Sequence, residues 1–164
     1  MSLSPVRLNH AVLFVADVDR AVQFYTDVFG MDLITREPGL NGAFLRLARS
    51  GNHHDLGLFG IPGAVARPPR SVGLYHLGWQ VDTVDELVRF RQTLLDSGAY
   101  TGESSHGATK SIYGVDPDGN QFEIMWMLPR EEWGSYESAA VVERLDIAGE
   151  FERWSGVRTA TEAG

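Results

Sequence analysis

The chain reads as an α+β protein in which two βαβββ modules form a curved, partly closed mixed sheet with the helices outside. Three observations predict this. Strand-length apolar runs alternate with helical stretches, the pattern repeats once at an offset of 66 residues, and the second copy closes on a hairpin around Asp116-Pro117-Asp118-Gly119-Asn120. At 164 residues, 43% hydrophobic and 22% charged, the chain is long enough for one domain with a substantial core.

Residues 8–15 (LNHAVLFV) form the first strand, with Ala11, Leu13 and Val15 on one face and His10, Val12 and Phe14 on the other. Both faces are largely apolar, so both are expected to be covered. Asp17 or Asp19 N-caps a helix whose apolar set Val18, Ala21, Val22, Tyr25, Val28 and Phe29 stops at Gly30, a C′ residue. Strands over 31–36, 42–49 and 54–60 follow, separated by Pro38-Gly39 and Ser50-Gly51-Asn52. Module one thus spans 6–60, and the prolines and glycine of 61–71 make that stretch a linker.

Module two spans 72–127. The offset superposes His10 on His76, Val15 on Val81, Val18 on Val84, Asp19 on Asp85, Val22 on Val88 and Phe24 on Phe90. Thr83 with Glu86 makes a capping box, Gly98 ends the helix, and strands over 100–105, 109–115 and 121–127 complete the unit. A five-residue loop pairs Val115 with Gln121 and so sets Tyr113 opposite Glu123, Cβ atoms about 5 Å apart. Residues 128–164 form a C-terminal extension, with a helix over 138–147 and a frayed end at 159–164.

A net charge of −8 leaves no basic stripe for nucleic acid and nothing to hold the chain at an anionic membrane. Zero cysteines exclude disulfides and thiolate chemistry, so a metal would need imidazole and carboxylate donors. The N-terminus lacks a signal-like pattern and no apolar run approaches the roughly 20 residues that span a bilayer, so a cytoplasmic protein is expected.

Period-2 faces put Leu77, Trp79, Phe122, Ile124 and Trp126 under the helices and His10, His76 and Glu123 on the opposite face. Two imidazoles and a carboxylate from three strands form a facial triad that suits Fe(II) and also Mn(II). Buried histidines are more often hydrogen-bonded core residues, but equivalent positions in the two repeats favour the metal reading. The counterpart of Glu123 in module one is Gly57, so no fourth protein ligand is expected and the metal is left open to small molecules. His54 is placed to act as an acid/base over the metal, while His53-His54 after Ser50-Gly51-Asn52 would equally make a solvated turn. His106 either hydrogen-bonds substrate or caps a turn. Phe14, Met125 and Met127 are candidates for an apolar pocket wall, and open strand edges favour a homo-oligomer.

The repeated module, His10, His76, Glu123 and the SIYGVDPDGNQFEI hairpin together resemble the vicinal oxygen chelate superfamily over residues 8–127. More closely, the set resembles the metal-bearing domain of type I extradiol catechol dioxygenases. That resemblance implies His54 as acid/base, Tyr113, ten residues before Glu123, as the active-site tyrosine, and His106 as an additional active-site histidine. It implies Fe(II), with Mn(II) as a substitute, and a small aromatic diol and O2 as substrates. Those enzymes usually carry two such domains, whereas this chain has one pair of modules, and residues 61–71 lengthen the interval from His54 to His76. The alternatives are a glyoxalase-like lyase or isomerase, which would want a second carboxylate where Gly57 stands, and a non-catalytic small-molecule-binding protein of the same fold.

Overall fold

The computed structural model describes residues 3–66, 68, 70–139 and 141–160. The described residues divide into two compact units, one formed by those up to Ala66 and the other by those from 68 to 160.

In the first unit, β1 (Ala11–Val15), α1 (Val18–Phe29), β2 (Asp32–Glu37), β3 (Gly42–Arg46) and β4 (Leu56–Gly60) make a four-stranded mixed sheet in the order β1-β4-β3-β2. Asp17 caps α1 by accepting the Arg20 N–H at 3.0 Å, and Gly30 ends it at φ +62°, a left-handed conformation that costs glycine little. The six apolar residues named from helical spacing are the buried face of α1, which packs on β3 and β4, where Ala43, Leu45, Leu56 and Leu58 are buried.

In the second unit, β5 (His76–Gln80), α2 (Val84–Asp96), β6 (Tyr100–Ser105), β7 (Thr109–Val115) and β8 (Gln121–Met127) repeat the arrangement as β5-β8-β7-β6. The repeat extends to register. β1 pairs β4 in parallel with Val12 opposite Gly57, and β5 pairs β8 in parallel with Gly78 opposite Glu123, each position displaced by the same 66 residues. The capping box forms at α2, with a shift. Thr83 accepts the Glu86 N–H at 3.2 Å, while the Glu86 carboxylate accepts the N–H of Asp82, one residue before the cap, at 2.9 Å.

Several expectations are corrected. Strand β3 ends at Arg46, not 49, because the Leu47 N–H is captured by the Asp55 carboxylate at 2.7 Å. That same turn delays β4 to Leu56. The far face of β1 is uncovered, with Val12 50% and Phe14 70% exposed. Trp79 is only half-buried, whereas Trp126 is fully buried.

The largest difference lies in the extension. Among the described residues of 138–146 there is no helix; α3 instead spans Ile147–Trp154, capped by Asp146, which accepts the Gly149 N–H at 3.1 Å. The preceding residues pair with the open edge of β6, Ser105 and Glu143 exchanging two backbone hydrogen bonds of 2.9 Å each. The expected fray at 159–164 lies partly outside the described residues; Thr159 and Ala160, which are described, are held by the buried Asp82 carboxylate through their backbone N–H groups at 3.1 and 3.0 Å.

Candidate active site

The DPDGN turn fixes the site's register. Asp116 Oδ1 accepts the N–H groups of Asp118 and Asn120 at 2.9 and 2.8 Å, its Oδ2 accepts from the Asn120 amide, and Gly119 adopts φ +83°. Five residues therefore form the loop, Val115 faces Gln121, and Tyr113 faces Glu123 on one side of the sheet.

Glu123 is the hub of this face. Its Oε2 lies 3.3 Å from His76 Nε2, and its Oε1 accepts the Tyr113 hydroxyl at 3.2 Å. The side chains of Glu123 and His76 are 12% and 28% exposed, shielded from bulk water yet reachable. Gly78 makes room for this geometry, since a Cβ there would sit 3.3 Å from Glu123 Oε2.

Behind Tyr113 the network continues. His106 Nε2 is 2.7 Å from the Tyr113 hydroxyl, and Ser104 Oγ is 2.8 Å from His106 Nε2 and 3.2 Å from the phenol. His106 Nδ1 donates to the Val141 carbonyl at 2.9 Å. Burial holds the Tyr113 phenol above its ordinary pKa, and the Glu123 carboxylate pushes the same way, against the hydrogen bond with Ser104. Tyr113 is consequently a phenol at neutral pH and a donor to whatever occupies the face.

The first unit carries the other candidates. His10 lies just before β1, exposed, with Nδ1 3.0 Å from Asn9 Oδ1 and its ring 4.5 Å from the His54 ring. His54 also meets Phe44 edge-on at 5.1 Å, and its Nδ1 is 3.1 Å from His53 Nδ1. Burial lowers the His54 pKa, His10 and His53 add to that shift, and Asp55 opposes it. Asp55 is buried and its carboxylate is spent on Leu47, Ser50 and Asn52, each at 2.7 Å, so it organises the turn and is no spare ligand. Gly57 is buried with Phe44 and Val12 each 3.4 Å from where its Cβ would be, and Phe44 pairs with it as Tyr113 pairs with Glu123. An aromatic surface thus stands in module one where module two has its carboxylate and phenol.

His76, Glu123, Tyr113 and His106 are brought together in the second unit, and His10 and His54 in the first. Met125 and Met127 share the Glu123 face and are partly exposed. Within each unit, among the described residues, no three His, Asp or Glu side chains are gathered as a metal cluster. The His76–Glu123 pair alone nevertheless fits a divalent ion. Two donors each about 2.1 Å from one ion at roughly a right angle are separated by about 3 Å, close to the spacing found. Two members of the network, Ser104 and Val141, carried no sequence signal of their own. Ser104 contributes an ordinary hydroxyl, and Val141 contributes only a backbone carbonyl.

Residues 7–124 match the model of the Glyoxalase/Bleomycin resistance protein/Dioxygenase superfamily. The chain belongs to this superfamily. Among its relatives, biphenyl-2,3-diol 1,2-dioxygenase 3 of Rhodococcus globerulus is 35% identical over 127 residues, covering 76% of this chain and 64% of that protein. A probable chloroplastic lactoylglutathione lyase of Arabidopsis thaliana is 31% identical over 135 residues, covering 77% of this chain and 37% of that protein. The chain therefore spans less than two thirds of either relative. The crystal structure of a glyoxalase/dioxygenase from Nostoc punctiforme shares the fold, with a TM-score of 0.64, 20% identity, and coverage of 78% of this chain and 97% of that one. Among the described residues no helix is long and apolar enough to cross a membrane.

Proposed function

We propose that this protein is an extradiol dioxygenase that opens a catechol-type ring with O2, its metal held by His10, His76 and Glu123. The carrying observation is the Glu123 carboxylate shared between an imidazole, His76, and a half-buried phenol, Tyr113. The repeat supplies His10 as the equivalent of His76. A divalent ion on these donors, Fe(II) first and Mn(II) second, would supply an electrophilic centre for a diol and O2.

The chain's own residues do the rest. His54, whose lowered pKa favours the neutral imidazole, accepts the proton a diol hydroxyl must lose and returns it later in the cycle. Tyr113 keeps its proton and orients the ring through a donated hydrogen bond. Phe44, Phe14, Met125 and Met127 offer apolar surface to an aromatic substrate.

A glyoxalase-like lyase is the second reading, favoured by the likeness to the plant lyase. Gly57 argues against it, because module one carries no carboxylate at the position equivalent to Glu123. The test is anaerobic reconstitution with Fe(II) and a panel of catechols, set beside hemithioacetal turnover with Ni(II) or Zn(II). Oxygen uptake matched by yellow ring-cleavage product is expected. Hemithioacetal turnover without oxygen uptake would assign the lyase instead.

A further inference from the structure

We infer that the segment around Val141 is a positioning element of the active site, fixing His106 as its Nδ1–H tautomer so that Nε2 is aimed at Tyr113. A carbonyl oxygen can only accept, so the 2.9 Å contact between His106 Nδ1 and Val141 O requires the proton on Nδ1. Nε2 is then an acceptor facing the hydroxyls of Tyr113 at 2.7 Å and Ser104 at 2.8 Å; Ser104 donates to it while the single Tyr113 proton goes to Glu123 Oε1, and Tyr113 donates to it when that proton leaves Oε1. Without the carbonyl the imidazole could rotate or exchange tautomers, and the phenol that faces Glu123 would lose its second fixed neighbour.

The segment is built to stay in place. Glu143 pairs with Ser105 on the edge of β6 through two 2.9 Å backbone bonds, which sets Val141 in register beside His106. The Tyr136 ring lies against Gly107 so closely that a Cβ at that glycine would meet Tyr136 Cδ1 at 2.4 Å. Farther along, Lys110, itself buried, donates to Ser105 Oγ at 3.0 Å and pairs with Glu150 of α3 at 2.8 Å. Ser155 and Gly156 then hydrogen-bond Asp85 at the start of α2, at 2.7 and 2.8 Å. These attachments all lie within the second unit and bracket the residue that supplies the carbonyl. His106 as a mere turn cap would need none of them, since its backbone N–H already bonds Thr109 O at 2.8 Å.

The consequence for turnover rests on the dioxygenase reading; the tautomer does not. The direct test is a long-range proton–nitrogen NMR spectrum of the full chain labelled with 15N-histidine. Wild type should show His106 protonated at Nδ1, and a wild-type His106 protonated at Nε2 alone would overturn the inference. Glu143→Pro, which removes the N–H donated to Ser105, and Tyr136→Ala, a milder variant that leaves the strand pairing, should both shift His106 toward Nε2–H or an average. In the same variants kcat for catechol should fall about 10- to 100-fold with KM changed far less. An unchanged tautomer in both folded variants would overturn the inference. Loss of the tautomer with full kcat would also overturn it. Absence of catechol turnover in wild type would count against the dioxygenase reading alone, because the spectrum does not depend on activity.

Discussion

At the scale of single residues, the site is a set of fixed distances around one carboxylate. Tyr113→Phe removes the donor to Glu123 Oε1 while leaving the ring, so metal content should be unchanged and kcat should fall about 10- to 1000-fold in steady-state assays. His54→Phe should likewise retain metal and lose about 10²- to 10⁴-fold in turnover, the range expected for a general acid/base. Full activity in either variant would remove that residue from the chemistry. The Tyr113–Glu123 pairing was legible in the sequence because a loop with preset turn chemistry fixes register, and register fixes faces. Ser104 and Val141 were not legible. Val141 acts through a backbone carbonyl that arrives beside His106 from 35 residues away, which no side-chain pattern encodes, and Ser104 is one of two adjacent serines with nothing to single it out.

At the scale of elements, the repeat carried the most information. An offset read from side chains reproduces the parallel ladders of β1–β4 and β5–β8 residue for residue, because equivalent apolar faces bury against equivalent helices. Strand bounds failed at the Asp55 turn, where local hydrogen bonds intervene, and the helix expected from weak periodicity failed in the extension, where an open strand edge is paired instead. The β7–β8 hairpin is also tightly packed under Gly114, whose Cβ would meet Phe122 Cζ at 2.5 Å and Ala99 O at 3.0 Å. Gly114→Ala should destabilise the protein by about 1–3 kcal/mol in urea unfolding. The C-terminal tail offers a pH test. Burial of Asp82 opposes its charge, but Arg158 and the N–H groups of Ala160 and Thr159 outweigh it and hold the carboxyl below its ordinary 3.8. A depressed folded value means the tether contributes fully above the ordinary carboxylate range and is lost as pH falls through the lowered value. Hydrogen exchange at the Thr159 and Ala160 amides should therefore stay slow at pH 6 and, after correction for intrinsic rates, lose protection below about pH 4. Protection unchanged at pH 3 would contradict it.

At the scale of the whole molecule, two copies of one module have diverged in what their equivalent positions carry. Module two keeps an imidazole, a carboxylate and a phenol, while module one keeps imidazoles and replaces the carboxylate and phenol with Gly57 and Phe44. That asymmetry is what the proposal of an open metal site and of a dioxygenase draws on. The central claim is that His10, His76 and Glu123 hold this metal together. Its most direct measurement is metal stoichiometry after anaerobic loading with Fe(II), in wild type and in His10→Ala, His76→Ala and Glu123→Ala. About one ion per chain in wild type and loss in each variant is predicted; retention of the ion in all three would contradict it.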